Sequence, residues 1–316
     1  MATTTSAPQA QFALAPDPPH YVWNNAIVPK LSVPSGATLT FETRDASDGH
    51  FTLDSTNAVF ETFEFRGHPL TGPVYVEGAQ PGDVLQVDVL DVQPAAYGWT
   101  ALLPGMGLLA EDFPQPYLRT WDLSDKTLAT LDDRIRIPLE PFCGVMGLAV
   151  AEPGEHVTMP PRRVGGNIDI KQVVAGSSLY LPIEVPGALF SVGDAHAAQG
   201  DGEVCVSAIE MGSTTTLRLT TRHDLSLNEP QFSTPGSRWR GSNGACYVTT
   251  AHGPDLMANT KQAIRYMLDH LERSYGLSRA DAYCLASVVV DLKISQVVDA
   301  PNWIVSAFLP LEIFNR

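Results

Sequence analysis

The chain has 316 residues, 44% of them hydrophobic and 17% charged, with a formal charge of -15. That length buries a substantial core, as one large domain or as two smaller ones, and the acidic balance argues against nucleic acid and anionic membrane surfaces as partners. No apolar run approaches the roughly 18 residues of a membrane span, and four scattered cysteines, Cys143, Cys205, Cys246 and Cys284, form neither a disulfide framework nor a Cys-x-x-Cys motif. They read as reduced core thiols of a cytoplasmic protein.

The first 18 residues are rich in Ala, Thr and Pro and lack Lys and Arg, so a flexible tail is expected there, with the folded part spanning residues 19–316. Short β-prone runs follow. Ala37–Thr43, Pro69–Val76 and Gly82–Val89 read as strands. In the last, Leu85, Val87 and Val89 alternate with Gln86 and Asp88, the period of a half-buried strand. After the first strand comes Arg44-Asp45-Ala46-Ser47-Asp48-Gly49-His50. Asp48 and His50 are candidate substrate contacts or ligands there, against the plainer reading of a solvated loop. Trp99–Asp125 has weak periodicity and is expected as a lid, a pocket wall or a packed irregular loop, with Tyr97 and Trp99 as candidate pocket residues.

Ser177–Ile183 and Thr214–Thr220 are further strands, and Pro230–Gly244, which contains Trp239, reads as a loop. Asp255–Tyr275 places Leu256, Ala263, Ile264, Met267, Leu268 and Leu271 at helical spacing, with Gly276 as the stop. Ser278-Arg279-Ala280-Asp281 has the form of a capping box opening a second helix through Val290. Asp291–Asp299 is expected as a last strand, with Lys293, Gln296 and Asp299 as polar or partly buried contacts. The elements predict an α+β, β-rich fold of barrel- or sandwich-like sheets with C-terminal packing helices, as one domain or as two intertwined β-rich subdomains.

The chemistry concentrates in Gly193-Asp194-Ala195-His196-Ala197-Ala198-Gln199-Gly200-Asp201-Gly202-Glu203. Ala188–Val192 before it and Val204–Ile209 after it read as strands, so the polar cluster is expected on a tight loop between two buried strands. Asp194 and His196 share a face if the strand continues through them. A carboxylate and an imidazole at that spacing can reach one cation. Gly200 and Gly202 let the chain turn Glu203 back to the same point. Asp201 alone reads as a turn residue. About 25 residues upstream, Gly165-Gly166-Asn167-Ile168-Asp169 offers an amide and a carboxylate on one side of an extended segment.

These two segments together, Gly-Gly-Asn-x-Asp and Gly-Asp-x-His-x-x-Gln-Gly-Asp-Gly-Glu, resemble the acetamidase/formamidase family, with similarity running from about Trp23 to Phe314. The resemblance implies hydrolysis of a short linear amide to a carboxylate and ammonia by a homo-oligomer, expected as a homodimer. Carbamates and lactams remain open as substrates, as does a non-catalytic protein that binds a small molecule or a metal in the same pocket. A divalent metal suits amide hydrolysis, and Asp169, Asp194 and His196 are the expected ligands. Glu203 is the expected general base or a fourth ligand. Asn167 and Gln199 are candidates to hold the substrate amide or the oxyanion. The mixed nitrogen and oxygen set favours Zn2+, with a second cation such as Ca2+ at a nearby all-oxygen site. Cys143 is expected to pack and not to react.

Overall fold

The computed structural model describes residues 10–132, 135–235, 244–277 and 290–311, with 279, 282, 286 and 314. Two open nine-stranded sheets organise the chain. The first runs, in spatial order, Phe12–Leu14, Ala37–Thr43, Ser213–Arg222, Val84–Pro94, Ser178–Pro182, Gln231–Thr234, Cys246–Gly253, Trp303–Pro310 and Asp291–Gln296. The second runs Pro161–Arg162, Gly165–Asn167, Phe142–Leu148, Phe190–His196, Glu210–Met211, Tyr97–Leu102 and Tyr117–Asp122, with Leu70–Val76 and Leu31–Val33 branching from Phe190–His196.

The alternation read in Val84–Pro94 is realised: Leu85, Val87 and Val89 are buried, and Gln86 and Asp88 are half-buried. The buried faces of the two sheets meet in one core. Leu39, Phe41, Val87 and Leu217 come from the first sheet, and Val74, Met146, Phe190 and Val192 from the second. Phe41 and Phe190 meet edge to face across it at 5.8 Å. Burying both faces removes the polar alternation from the central strand, so Phe190–His196 is buried throughout.

The helix Leu256–Tyr275 covers the far end of the first sheet. Asp255 caps it by accepting from the Ala258 N–H, and Gly276 ends it in the left-handed conformation at φ 67°. Its Ala263, Met267, Leu268 and Leu271 pack on Ala251, Ala307 and Leu309.

Several expectations are corrected. Phe12–Leu14, within the expected tail, docks as an edge strand parallel to Leu39–Phe41. Val204–Ile209 is irregular, because its backbone groups bond to other loops: the Val204 carbonyl accepts from Leu108 N–H at 2.8 Å. Trp99–Asp125 contains parts of two paired strands, with an irregular stretch only between them. Trp303–Pro310, not Asp291–Gln296, is the last strand, and Asp291–Gln296 is the sheet edge. Gln231–Thr234 is a strand within the expected loop, and Trp239 lies outside the described residues. So does most of the expected second helix, of which Arg279, Ala282 and Ala286 are described and helical.

Candidate active site

The site is built where the Phe190–His196 strand changes partners. One edge pairs continuously with Phe142–Leu148, from Phe142 opposite His196 to Leu148 opposite Phe190. The other edge pairs with Leu70–Val76 as far as Gly193 opposite Leu70, then with Glu210–Met211 from Ala195 onward. Asp194 stands at the handover with φ 54°. Asp194 and His196 therefore lie in the strand itself and not on a loop after it, with Asp194 Oδ2 3.4 Å from His196 Nε2. The pairings of Cys143 with Ala195 and of Val145 with Gly193 set Gly144 opposite Asp194.

Gly144 also anchors the next segment. Its carbonyl accepts from Ile168 N–H at 2.9 Å and Asp169 N–H at 3.2 Å, which turns the Asp169 side chain back over the strand. Asp169 has φ 45° and Glu203 has φ 47°. Left-handed backbone at these three acids is local strain of the kind found at functional sites. Asp201 is held by Lys171 at 2.8 Å and Gln172 at 2.9 Å, away from the cluster, which fits the turn reading.

Six expected residues come together in one buried group: Asn167, Asp169, Asp194, His196, Gln199 and Glu203. Three more join them. Glu210 Oε2 lies 3.0 Å from His196 Nε2. Asp299 accepts from Asn167 Nδ2 at 3.0 Å. His68 Nε2 lies 3.7 Å from Asp194 Oδ2. Glu210 is legible only as a lone acid ending an apolar run, and Asp299 as a polar residue of the closing segment. No local pattern marks His68, set between Gly67 and Pro69.

Asp48 and His50 are not brought to this group. Asp48 is bound by Arg44 and by the Tyr21 hydroxyl, and exposed His50 rests on Phe63 and bonds Thr62. They line a neighbouring surface depression that shares Ala46, Phe63 and Phe65 with the buried site. Cys143 is buried at 3.4 Å from Thr215 Oγ1, and burial pushes its thiol up to about 11, as packing requires and a nucleophile does not.

The group closes one end of a cavity of about 50 Å3. Phe51, Phe63, Phe65 and Trp99 supply apolar lining, and no lysine or arginine among the described residues lines it. Trp99 thus meets the expectation of a pocket residue, and Tyr97 does not line the cavity.

Five buried carboxyl groups face two imidazoles here. Buried charges need partners. Burial first, then Glu203 and Asp299, hold the Asp169 carboxyl well above its ordinary range. Burial raises Glu203, aided by Asp299, Glu210 and Asp194 against the pull of His196. It also raises Glu210 and Asp299, each to about 7. Burial alone would raise Asp194, but His68 and His196 hold it below the carboxylate range. Burial opposes charge on His196, yet Glu210 and Asp194 hold its pKa well above the usual imidazole value. Burial lowers His68.

Five buried polar atoms of the group have no hydrogen-bond partner: Asn167 Oδ1, Asp169 Oδ1, Asp194 Oδ1, His196 Nε2 and Glu210 Oε2. Such orphans are rare in native proteins, and several in one place fit a cation. Two donor groups share His196, each with ligand atoms within 4.8 Å of one another: Asp169, His196 and Glu203, and Asp194, His196 and Glu210. Hydrogen bonding distinguishes them. Gln199 Nε2 donates to the Asp169 carbonyl at 2.8 Å, which aims Gln199 Oε1 at His196 Nδ1, 2.9 Å away. In the neutral ring that a metal requires, Nδ1 therefore carries the proton and the lone pair is on Nε2, towards Asp194 and Glu210.

The sign of the pH response follows for metal-free protein. Glu210 and Asp299 rise to about 7 from 4.5 and 3.8. Between these values the native state holds protons that the unfolded chain has lost, so stability falls as pH rises through that window. Raised Asp169, Glu203 and His196 act in the same direction. Lowered His68 opposes them below 6.5, and lowered Asp194 only below 3.8. Metal-free protein is expected to lose on the order of a few kcal/mol between about pH 5 and pH 8. Added Zn2+ should raise Tm most at the upper end. Thermal melts with and without metal check this, and a metal-free Tm that rises with pH would contradict it.

The model of the Acetamidase/Formamidase family matches residues 7–157 and 149–316. The chain belongs to the acetamidase/formamidase family. Family relatives include an acetamidase of Mycolicibacterium smegmatis, 31% identical over 259 residues, a match that spans 62% of this chain and 64% of that protein. A formamidase of Methylophilus methylotrophus is 28% identical over 94% of this chain and 89% of its own length. The crystal structure of an acetamidase from Bacillus halodurans superposes with a TM-score of 0.86 at 32% identity, covering 96% of this chain and 98% of that one.

Proposed function

We propose that this protein is a metal-dependent amidohydrolase that cleaves the C–N bond of a short linear amide, of the formamide or acetamide type, to a carboxylate and ammonia. The observation that carries this reading is a cavity of about 50 Å3 that joins an aromatic lining to a buried acid–imidazole group with orphaned donor atoms. A small, largely apolar cavity ending in polar groups suits a short amide. The names of the family relatives support the same substrate class.

His196 Nε2, Asp194 and Glu210 would hold the metal, which moves Asp169 out of the expected ligand set and brings Glu210 in. The nitrogen and oxygen donors suit Zn2+. When bound, such an ion supplies Lewis acidity towards the carbonyl and acidifies a water. A hard second cation such as Ca2+ would draw on the carboxylates of Asp169 and Glu203, which lie together beside His196. Glu203, whose carboxyl burial holds well above its ordinary range, takes a proton from the attacking water and returns it to the departing nitrogen. Water's oxygen ends in the carboxylate, and the C–N electron pair leaves with ammonia.

Ammonia release from formamide, acetamide, propionamide and a carbamate tests the reading, before and after chelation and Zn2+ readdition. Release is expected to be chelator-sensitive and highest for the smallest amides. Glu203→Gln should retain metal and lose about 10²- to 10⁴-fold in kcat. Release from a demonstrably metal-free sample would remove metal from the mechanism, and metal-loaded protein inert to every amide would favour a binding role.

Free Cys143 and Cys205 support a cytoplasmic location, which a disulfide found in the native protein would contradict. Among the described residues no helix is long and apolar enough to cross a membrane. Exposed Leu108, Leu109, Phe113 and Tyr117, on the segment whose Leu103 and Met106 line the cavity, support a homodimer. Sedimentation as a monomer at all concentrations would count against it.

A further inference from the structure

An amide presents one strong acceptor, its carbonyl oxygen, besides its N–H groups. The cavity has acceptors in excess in its carboxylates, and donors are scarce. Asn167 Nδ2 is spent on the Met159 carbonyl and Asp299 Oδ2, both at 3.0 Å. The Ser207 hydroxyl donates to the Ala101 carbonyl at 2.8 Å and accepts from Ala101 N–H at 2.9 Å. Gln199 does not line the cavity and donates to the Asp169 carbonyl. Asn167 thus spends both amide hydrogens on the protein, and Gln199 stands outside the cavity, so neither fills the expected role of carbonyl donor. Trp99 Nε1 donates to Asp45 Oδ1 at 2.9 Å. Once the lining carboxyls are ionised around a cation, the neutral donor that remains among the described lining side chains is His68.

The tautomer of His68 follows from its other nitrogen. His68 Nδ1 lies 3.1 Å from Thr158 Oγ1, and the same oxygen accepts the His68 backbone N–H at 2.8 Å. Thr158 is fully buried, and its hydroxyl has no other acceptor among the described residues. A buried hydroxyl donates where it can, so Thr158 donates to Nδ1 and the ring proton sits on Nε2. That atom has no hydrogen-bond partner among the described residues, since Asp194 Oδ2 is 3.7 Å away. Phe65 packs edge-on against the ring at 5.3 Å and limits its rotation.

We propose that His68 Nε2–H donates to the substrate's carbonyl oxygen and to the oxyanion that develops on it, with Thr158 as the positioning residue that holds the tautomer. The inference rests on the amide-hydrolysis reading and assigns one of its parts. A ligand role for His68 would require a bare Nε2, with Nδ1–H given to Thr158 and the Thr158 hydrogen left without an acceptor. Metal content therefore separates the two roles.

The test uses the zinc-loaded full chain with formamide and acetamide. His68→Leu should lower kcat about 10²-fold or more with little change in KM and unchanged metal per chain. His68→Gln, whose amide can place an N–H near the lost Nε2, should recover part of that loss. Thr158→Val keeps the shape but frees the ring to hold the other tautomer, and should lower kcat about tenfold at constant KM with metal retained. Overturning results are a His68→Leu kcat within about threefold of the parent, a change in KM alone, or loss of metal in step with activity. Should His68→Leu not fold, an unchanged kcat in Thr158→Val overturns the assignment. A parent that releases no ammonia overturns the amide reading and this assignment together. An active parent with an unaffected His68→Leu overturns this assignment alone.

Discussion

Gly144→Ala is expected to abolish metal retention and amide hydrolysis while leaving the two sheets folded. A Cβ at this position would lie 2.4 Å from Asp169 Oδ1, 2.8 Å from His196 Cε1 and 2.9 Å from Asp194 Oδ2, where ordinary contact begins at 3.4 Å. Relief comes only by displacing these side chains from their present positions. All are buried, the Asp169 N–H is bound to the Gly144 carbonyl itself, and Nδ1 of His196 is bound to Gln199. The backbone at Gly144 is outside the left-handed region, so alanine suits the chain path and the damage is confined to the acid group. Overpacking of this kind costs about 1–3 kcal/mol, which a domain with about 5–15 kcal/mol of stability survives. Displacement of reacting groups by about 1 Å costs about 10²-fold in rate, and more is expected here because three groups are crowded. Elemental analysis, ammonia release and circular dichroism on the same sample decide the matter. A folded Gly144→Ala with parental metal content and turnover would show that these side chains do not act together.

His196→Ala should be comparably severe, because both donor groups contain His196. Metal per chain is expected to fall close to zero and ammonia release to background. Removing the one imidazole bonded among these buried acids also leaves charge uncompensated, at a cost of about 3–5 kcal/mol. That cost should be larger at pH 8 than at pH 5, since the raised carboxyls of Glu210 and Asp299 are protonated at the lower value. Gln199→Leu separates the two donor groups. If Nε2 is the ligating atom, loss of the Gln199 acceptor frees the ring tautomer and weakens metal binding about 10- to 100-fold. If Nδ1 ligates, the same change removes a competitor and binding is unchanged or tighter.

The parts of this molecule that were legible in the sequence are those fixed by local periodicity. Leu85, Val87 and Val89 announced their strand, Asp255 and Gly276 bounded their helix, and the two-residue step from Asp194 to His196 put both on one face. What failed depends on partners far along the chain. Val204–Ile209 has the composition of a strand, but Val206 is driven to φ 73° and the Val204 carbonyl is taken by Leu108, about a hundred residues earlier. Glu210 gains its meaning from pairing beside both His196 and Trp99. Asp299 gains its meaning from Asn167, and His68 from Thr158. Asp48 and His50 looked like a second acid–imidazole pair, yet Arg44 and Tyr21 satisfy the acid and Phe63 shelters the imidazole outside the cavity. Residue type at short spacing located the centre of the chemistry but not the groups that the topology delivers to it.

The left-handed backbone at Asp169 and Asp194 also bears on how this lineage can change. Asparagine and glycine tolerate that conformation, whereas most other residues carry roughly 1–2 kcal/mol of strain there. The cheapest mutational exit from the chemistry is thus a single Asp→Asn or Asp→Gly step that leaves the chain path untouched. A descendant that had taken it would superpose on the enzyme as closely as an active relative does. Sorting working members from silent ones therefore calls for reading the side chains at these twisted positions, since the fold alone would look the same in both.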